Sequence, residues 1–246
     1  MTGRKETWLS HRRYPLVLLV IVLAFSAVMA VAPLDRKDWA VENALLVAGI
    51  VMLAATHRKL PLSRVSYSLV FVFCMLHVVG AHYTYALVPY DRWCEASFGR
   101  TLSSLMGWDR NHYDRLVHFC YGLLLAYPIR EVFQRVADVR GFWGYYLPLD
   151  VTMATSMLYE IIEWGAAEIF GGDLGVAYLG TQGDVWDAQK DMGLATLGAV
   201  AAMTITAAIN RRYQRDFARE WAESLRVKHR RPLGEDELKR LMEESK

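Results

Sequence analysis

Leu179-Gly180-Thr181-Gln182-Gly183-Asp184-Val185-Trp186-Asp187-Ala188-Gln189-Lys190-Asp191 carries a glycine-bearing polar loop straight into an apolar run that continues to residue 209. An α-helix rising 1.5 Å per residue needs about 20 apolar residues to cross about 30 Å of hydrocarbon. Residues 185–209 therefore read as a membrane span, and Asp184, Asp187 and Asp191 stand at its head.

Working outward, the same length rule finds further spans at 15–32, 39–56, 65–87, 113–129 and 144–170. Hydrophobic residues make up 54% of the chain, above the roughly 45–50% usual for soluble domains, and the excess lies in these blocks. The first run ends in Ala30-Val31-Ala32, which resembles a signal-peptide cleavage site. Signal-peptide cores run about 7–15 residues, so the longer run reads as a retained span.

Lys and Arg concentrate at the N-terminus, in the second and fourth loops and after the last span. The positive-inside rule then predicts an all-α polytopic bundle of six transmembrane helices with both termini cytoplasmic. The expected organisation is a cytoplasmic N-terminus at 1–13, a transmembrane domain at 14–210 and a charged cytoplasmic tail at 211–246. In that tail Phe217, Trp221 and Leu225 repeat at i, i+4, an amphipathic stripe suited to the anionic inner leaflet or to a solvated helix.

A net charge of +2 gives no case for nucleic-acid binding, and Cys74, Cys94 and Cys120 are too scattered for a disulfide framework or a zinc pair. The informative residues are the ionisable ones inside the spans. Each costs about 2.5–3.5 kcal/mol at the bilayer centre, so such groups normally face the bundle interior and mark a site.

Four predicted spans deliver them to one leaflet. These are His82 near the end of the third, Asp114 and His118 at the start of the fourth, Glu160 and Glu163 late in the fifth, and Asp187 and Asp191 opening the sixth. Asp114 with His118 and Asp187 with Asp191 are i, i+4 pairs; Glu160 with Glu163 is i, i+3; each pair shares a helix face. His77 and His82, five apart, diverge by about 140° on an ideal helix, and His77 reads as a packing residue. Asn111 with Asp114, and Asp184 with Asp187, also fit helix capping, while Arg115 or Lys190 can neutralise buried carboxylates.

Imidazole with carboxylates suits zinc, iron or manganese. The expected ligands are His82, His118, Glu163 and Asp191, with Glu160 or Asp187 as general base. Asp114, Arg115, Gly180, Thr181, Gln182, Gly183 and Asp184 are the expected substrate contacts. A bound divalent ion would activate water, on a lipid-linked or cell-envelope substrate. A proton-coupled transporter using the same carboxylates, with a polar path continuing through Asp150, is the second expectation. A non-catalytic scaffold held by a buried network is the third.

The blocks Asn111-His112-Tyr113-Asp114-Arg115-Leu116-Val117-His118-Phe119, Tyr159-Glu160-Ile161-Ile162-Glu163-Trp164 and Gly180 to Met192 resemble the signatures of the YjdF-type bacterial inner-membrane proteins. That resemblance covers roughly spans two to six and implies an inner-membrane location without a known activity. Asp114 to Phe119 also resembles the D-[K/R]-x-x-H-F block of VanZ-like membrane proteins, although Asp191 stands where that pattern has Asn.

Overall fold

The computed structural model describes residues 3–170, 181–228 and 233–245. Gly180 and the rest of the loop 171–180 lie outside them. The described residues form helices and no strand: α1 (Gly3–Met29), α2 (Arg36–Thr56), α3 (Arg64–His82), α4 (Tyr90–Phe98), α5 (Leu102–Met106), α6 (Tyr113–Val136), α7 (Trp143–Phe170), α8 (Asp187–Tyr213), α9 (Phe217–Ser224) and α10 (Leu233–Glu244). By length and composition α2, α3, α6 and α8 are able to cross a membrane, and Arg13–Met29 of α1 is a shorter apolar stretch. The 28-residue α7 is long enough too, but Asp150, Glu160, Glu163 and Glu168 interrupt its apolar character.

The bundle is centred on α6 and α8, its most extensive helix pair. Lipid tails are as apolar as leucine, so helices in a bilayer gain by close van der Waals contact rather than by escape from water. Small residues make that contact here. Ala126, Ala195 and Ala199 are fully buried. Gly122 and Gly198 lie so close to the facing backbone that a Cβ on either would strike it: Ala195 O and Ala199 N for Gly122, Phe119 O and Leu123 N for Gly198.

α3 packs on the other flank of α6, where the Tyr113 hydroxyl donates to Leu76 O (2.9 Å). Asp35 caps α2, accepting from Lys37 N and Asp38 N, and those bonds hold its carboxyl below the usual range. Ser63 caps α3 through Ser66 N.

Two features differ from the sequence expectation. The third span was expected to reach residue 87, but α3 ends at His82. Thr84 and Tyr85 then take left-handed φ values of 54° and 49°, folding Tyr85 back so that its hydroxyl meets His77 Nδ1 at 2.5 Å. Gly80 has no side chain, which leaves room for the Tyr85 ring.

The tail stripe also finds a partner within the protein. Trp221 contacts Tyr145 and Phe142 (centroids 5.7 and 5.5 Å), and Ser224 Oγ accepts from Phe142 N at 2.9 Å. Arg130 lies over the same Tyr145 ring, 4.7 Å from its centroid. α9 is thus a brace across the start of α7, while Leu225 remains exposed. Trp221→Ala is expected to lower stability by ~2 kcal/mol, part of the cost of truncating a fully buried tryptophan. Thermal melting of the detergent-purified protein measures it.

Candidate functional site

The start of α6, the end of α7 and the start of α8 meet at one end of the bundle around a cavity of about 220 Å³. Its walls include Asp114, Glu160, Glu163, Trp164, Asp187 and Asp191. The polar groups here fall into two tiers with different chemistry.

The outer tier is an ion-pair clamp. Arg110 holds Asp187 with both guanidinium nitrogens, at 2.7 and 3.3 Å, and donates to Thr181 O at 2.8 Å. Arg115 pairs with Asp184 and approaches Asp187 at 3.4 Å. Lys190 Nζ reaches Asp184 at 2.6 Å. The Gln182 side chain accepts from Asn111 N (3.0 Å) and donates to Asn111 O (3.1 Å).

These contacts tie the loop before α8 to the loop before α6. Gly183, at φ 85°, and Gln182, at φ 48°, make the left-handed turn that allows it. Asp184 also accepts from Trp186 N. The Lys190 bond, that backbone N–H and Arg115 hold its carboxyl down at about 2. Its contribution to stability is therefore full above the ordinary carboxylate range and is lost only as pH falls toward about 2. Asp184 lies at the open edge of the site, so solvent screens this contribution.

The inner tier sits about one turn deeper. Asp114, His118 and Asp191 each offer one ligand atom, and those atoms lie within 4.8 Å of one another. His118 Nε2 is 3.5 Å from Asp114 Oδ1 and 3.7 Å from Glu160 Oε1. Asp191 is 2% exposed, and its Oδ1, like Glu160 Oε1, is buried with no hydrogen-bond partner. Among the described residues no Lys or Arg pairs with Asp114, Glu160, Glu163 or Asp191. His118 is the one basic group among the described residues that is bridged to this carboxylate set. The donors gathered here, one imidazole and a surplus of carboxylates, suit a divalent cation.

Of the four expected metal ligands, the structure brings His118 and Asp191 together with Asp114, and Glu163 onto the same cavity wall. His82 is not with them: its Nδ1 bonds Met29 O (2.7 Å) at the end of α1, and its ring meets Tyr83 edge-on. Of the two expected bases, Asp187 is occupied by Arg110, whereas Glu160 faces His118 at 3.7 Å. Among the expected substrate contacts, Asp114 belongs to the inner tier and Thr181 lines the cavity. Arg115, Gln182 and Asp184 are engaged in the clamp. Asp150 is exposed on α7.

The capping expectation is met in a different form. Asn111 Oδ1 accepts from Tyr113 N, but Asp114 turns to His118 instead of back to Asn111. His112 bridges the clamp, its Nδ1 bonded to Arg110 O at 2.9 Å and its Nε2 to Arg115 at 3.1 Å.

Arg110, Tyr159 and Glu42 are additions. Tyr159 places its ring 5.9 Å from His118 and donates to Glu42 Oε2 at 3.1 Å. Glu42, 5% exposed on α2, obeys the intramembrane rule that marked the other carboxylates, and that rule was the signal for finding it.

The comparisons with known proteins agree with the membrane architecture. The chain is 35% identical over 207 residues to a protein named "Inner membrane protein YjdF" from Escherichia coli (strain K12), covering 82% of this chain and 95% of the relative. No solved structure matches significantly, and the VanZ likeness gains no support from these matches. Residues 14–212 match the family described as "Predicted membrane protein (DUF2238)". A family match over most of the chain, on a bundle of long apolar helices, identifies this multi-pass inner-membrane protein as a member of the DUF2238 family.

Proposed function

We propose that Asp114, His118 and Asp191 bind a divalent metal ion, zinc, iron or manganese, and that the site acts on the polar head of a lipid-linked or envelope substrate by hydrolysis or group transfer. The observation that carries this reading is the convergence of those three ligand atoms beside carboxylates that have no cationic partner among the described residues. A buried carboxylate without a counter-charge is unfavourable by several kcal/mol, and a cation offsets that cost. The 3.5 Å between His118 Nε2 and Asp114 Oδ1 is close to the roughly 3.4 Å edge of a tetrahedron with metal–ligand bonds of about 2.1 Å.

When bound, such an ion supplies Lewis acidity and lowers the pKa of a water ligand. The chain's own groups do the rest. Glu160, 3.7 Å from His118 and without a hydrogen bond on Oε1, would be placed to take a proton from a water nucleophile in the cavity. Glu163 lines the cavity beside Glu160, and the outer clamp fixes α8 so that Asp191 stays aimed inward. The cavity, at about 220 Å³, is smaller than the roughly 300–1,000 Å³ typical of sites that enclose a whole small molecule. It suits a head group whose apolar remainder stays in the bilayer, beside the exposed Trp164. With six spans and both termini cytoplasmic, the site faces the outer leaflet.

Metal addition tests the reading. After chelation, zinc, manganese or iron(II) is expected to raise the melting temperature of the detergent-purified protein, by about 2.7 kcal/mol of stabilisation at 100 times Kd. His118→Gln and Asp191→Asn are expected to lose the shift. No shift in the wild type, or an equal shift in both variants, would sink the proposal. A pH-dependent proton uptake at the same carboxylates would then favour the transporter reading.

A further inference from the structure

At the end of the bundle away from the metal centre lies a second and much larger cavity, of about 1040 Å³. The two are separated along α6 by the distance from His118 to Arg135, about 25 Å at 1.5 Å per residue. α1, α2 and α3 form its walls. α1 leans on α3, held there by Tyr14 OH to Ser68 Oγ (2.6 Å) and by Arg64 over the Tyr14 ring. That lean leaves a space between α1 and α2.

The cavity has two chemically distinct parts. Its body is aliphatic and aromatic, with Leu19, Val22, Ile50, Leu53 and Phe71 among the walls. Its other end is polar and carries His57, Arg58, Ser63, Glu131 and Arg135. An apolar body with one polar end is the shape of an amphiphile.

The balance of charge at the polar end selects the head group. Glu131 is already saturated. It accepts from Ser63 N at 2.8 and 3.0 Å and from Ser66 Oγ at 2.5 Å, and Arg135 pairs with it at 3.2 Å. His57 is bonded to the Tyr67 hydroxyl. Arg58 is exposed, with no ion pair among the described residues. Among the described residues the mouth thus offers a guanidinium without an ion pair and no carboxylate that is not already engaged. The phosphodiester of a phospholipid finds a partner there, but the ammonium of a zwitterionic head meets no available carboxylate and lies against the guanidinium groups, so a head whose only charge is its phosphodiester is favoured. Basic pockets between helices on the cytoplasmic side are the usual sites for anionic phospholipid heads, and this mouth lies at the Arg-rich ends of the helices.

We infer that this cavity binds one anionic phospholipid, its acyl chains between α1, α2 and α3 and its phosphodiester at Arg58. The site is independent of the metal centre and does not rest on the function proposed for it.

The test uses the full chain in detergent, delipidated and then given phosphatidylglycerol or phosphatidylethanolamine with matched acyl chains. Binding is read by native mass spectrometry. Phosphatidylglycerol is expected to bind in preference to phosphatidylethanolamine. Arg58→Gln is expected to weaken phosphatidylglycerol about fivefold, the loss of one cation at a lipid head, and to leave the lipid-free melting temperature unchanged because Arg58 is exposed and has no ion pair among the described residues. Leu53→Trp, which fills the body, is expected to abolish the bound lipid. Equal binding of the two lipids overturns the inference. So does no bound lipid, or an unaltered preference in Arg58→Gln.

Discussion

Gly198→Leu is expected to leave no folded bundle. A Cβ at position 198 meets Phe119 O and Leu123 N, which are backbone atoms of α6 and cannot swing aside as a side chain would. Overpacking a core against movable side chains costs about 1–3 kcal/mol. Here the two helices must separate instead. That dissolves the α6–α8 pair on which the bundle is centred, at a cost comparable to the whole stability of a typical domain, about 5–15 kcal/mol. Gly193 provides the control on the same helix, because a Cβ there meets nothing within 4 Å. Size-exclusion chromatography of the two variants reads the result. A monodisperse Gly198→Leu protein with wild-type melting would contradict the packing described here.

Arg110→Ala is the second large effect. Asp187 is 4% exposed, and Arg110 gives it two bonds, at 2.7 and 3.3 Å. Removing one partner of a buried ion pair strands the other, typically at 3–5 kcal/mol. Arg115 remains 3.4 Å from Asp187, so the lower end of that range is expected. The double variant Arg110→Ala with Asp187→Ala leaves no stranded charge and should recover much of the loss. Wild-type stability of Arg110→Ala would mean that the clamp does not hold α8.

The two effects act on different levels of the same design. Gly122 and Gly198 set how closely α6 and α8 approach. The clamp of Arg110, Arg115, Asp184, Asp187 and Lys190 sets their register at the site end, and the register puts Asp191 opposite Asp114 and His118.

The sequence makes the helices visible because a bilayer demands long apolar runs, and α2, α6, α7 and α8 follow those runs closely. It makes the inner carboxylates visible because charge inside hydrocarbon needs a reason. What it does not carry is lateral arrangement. Arg110 finds Asp187 across 77 positions, and no local pattern announces such a pairing. His82 shares a depth with the other donors, yet it is committed to the end of α1. Depth along a span is read from hydropathy, whereas the direction a side chain faces depends on which helix is the neighbour.

The early end of α3 has a similar cause. Residues 83–87 are apolar enough to continue a span and include neither glycine nor proline, so nothing local marks the turn. The bond from Tyr85 to the buried His77 supports it. The stripe of Phe217 and Trp221 was legible as an apolar face. Its partner Tyr145, far back in the chain, was not.

The metal content of the detergent-purified protein, prepared without chelators, tests the central claim most directly. Elemental analysis is expected to find near-stoichiometric zinc, iron or manganese in the wild type, and little in His118→Ala and Asp191→Ala purified alongside it. An absence of metal from the wild type, or the same content in all three proteins, would contradict a metal centre at Asp114, His118 and Asp191.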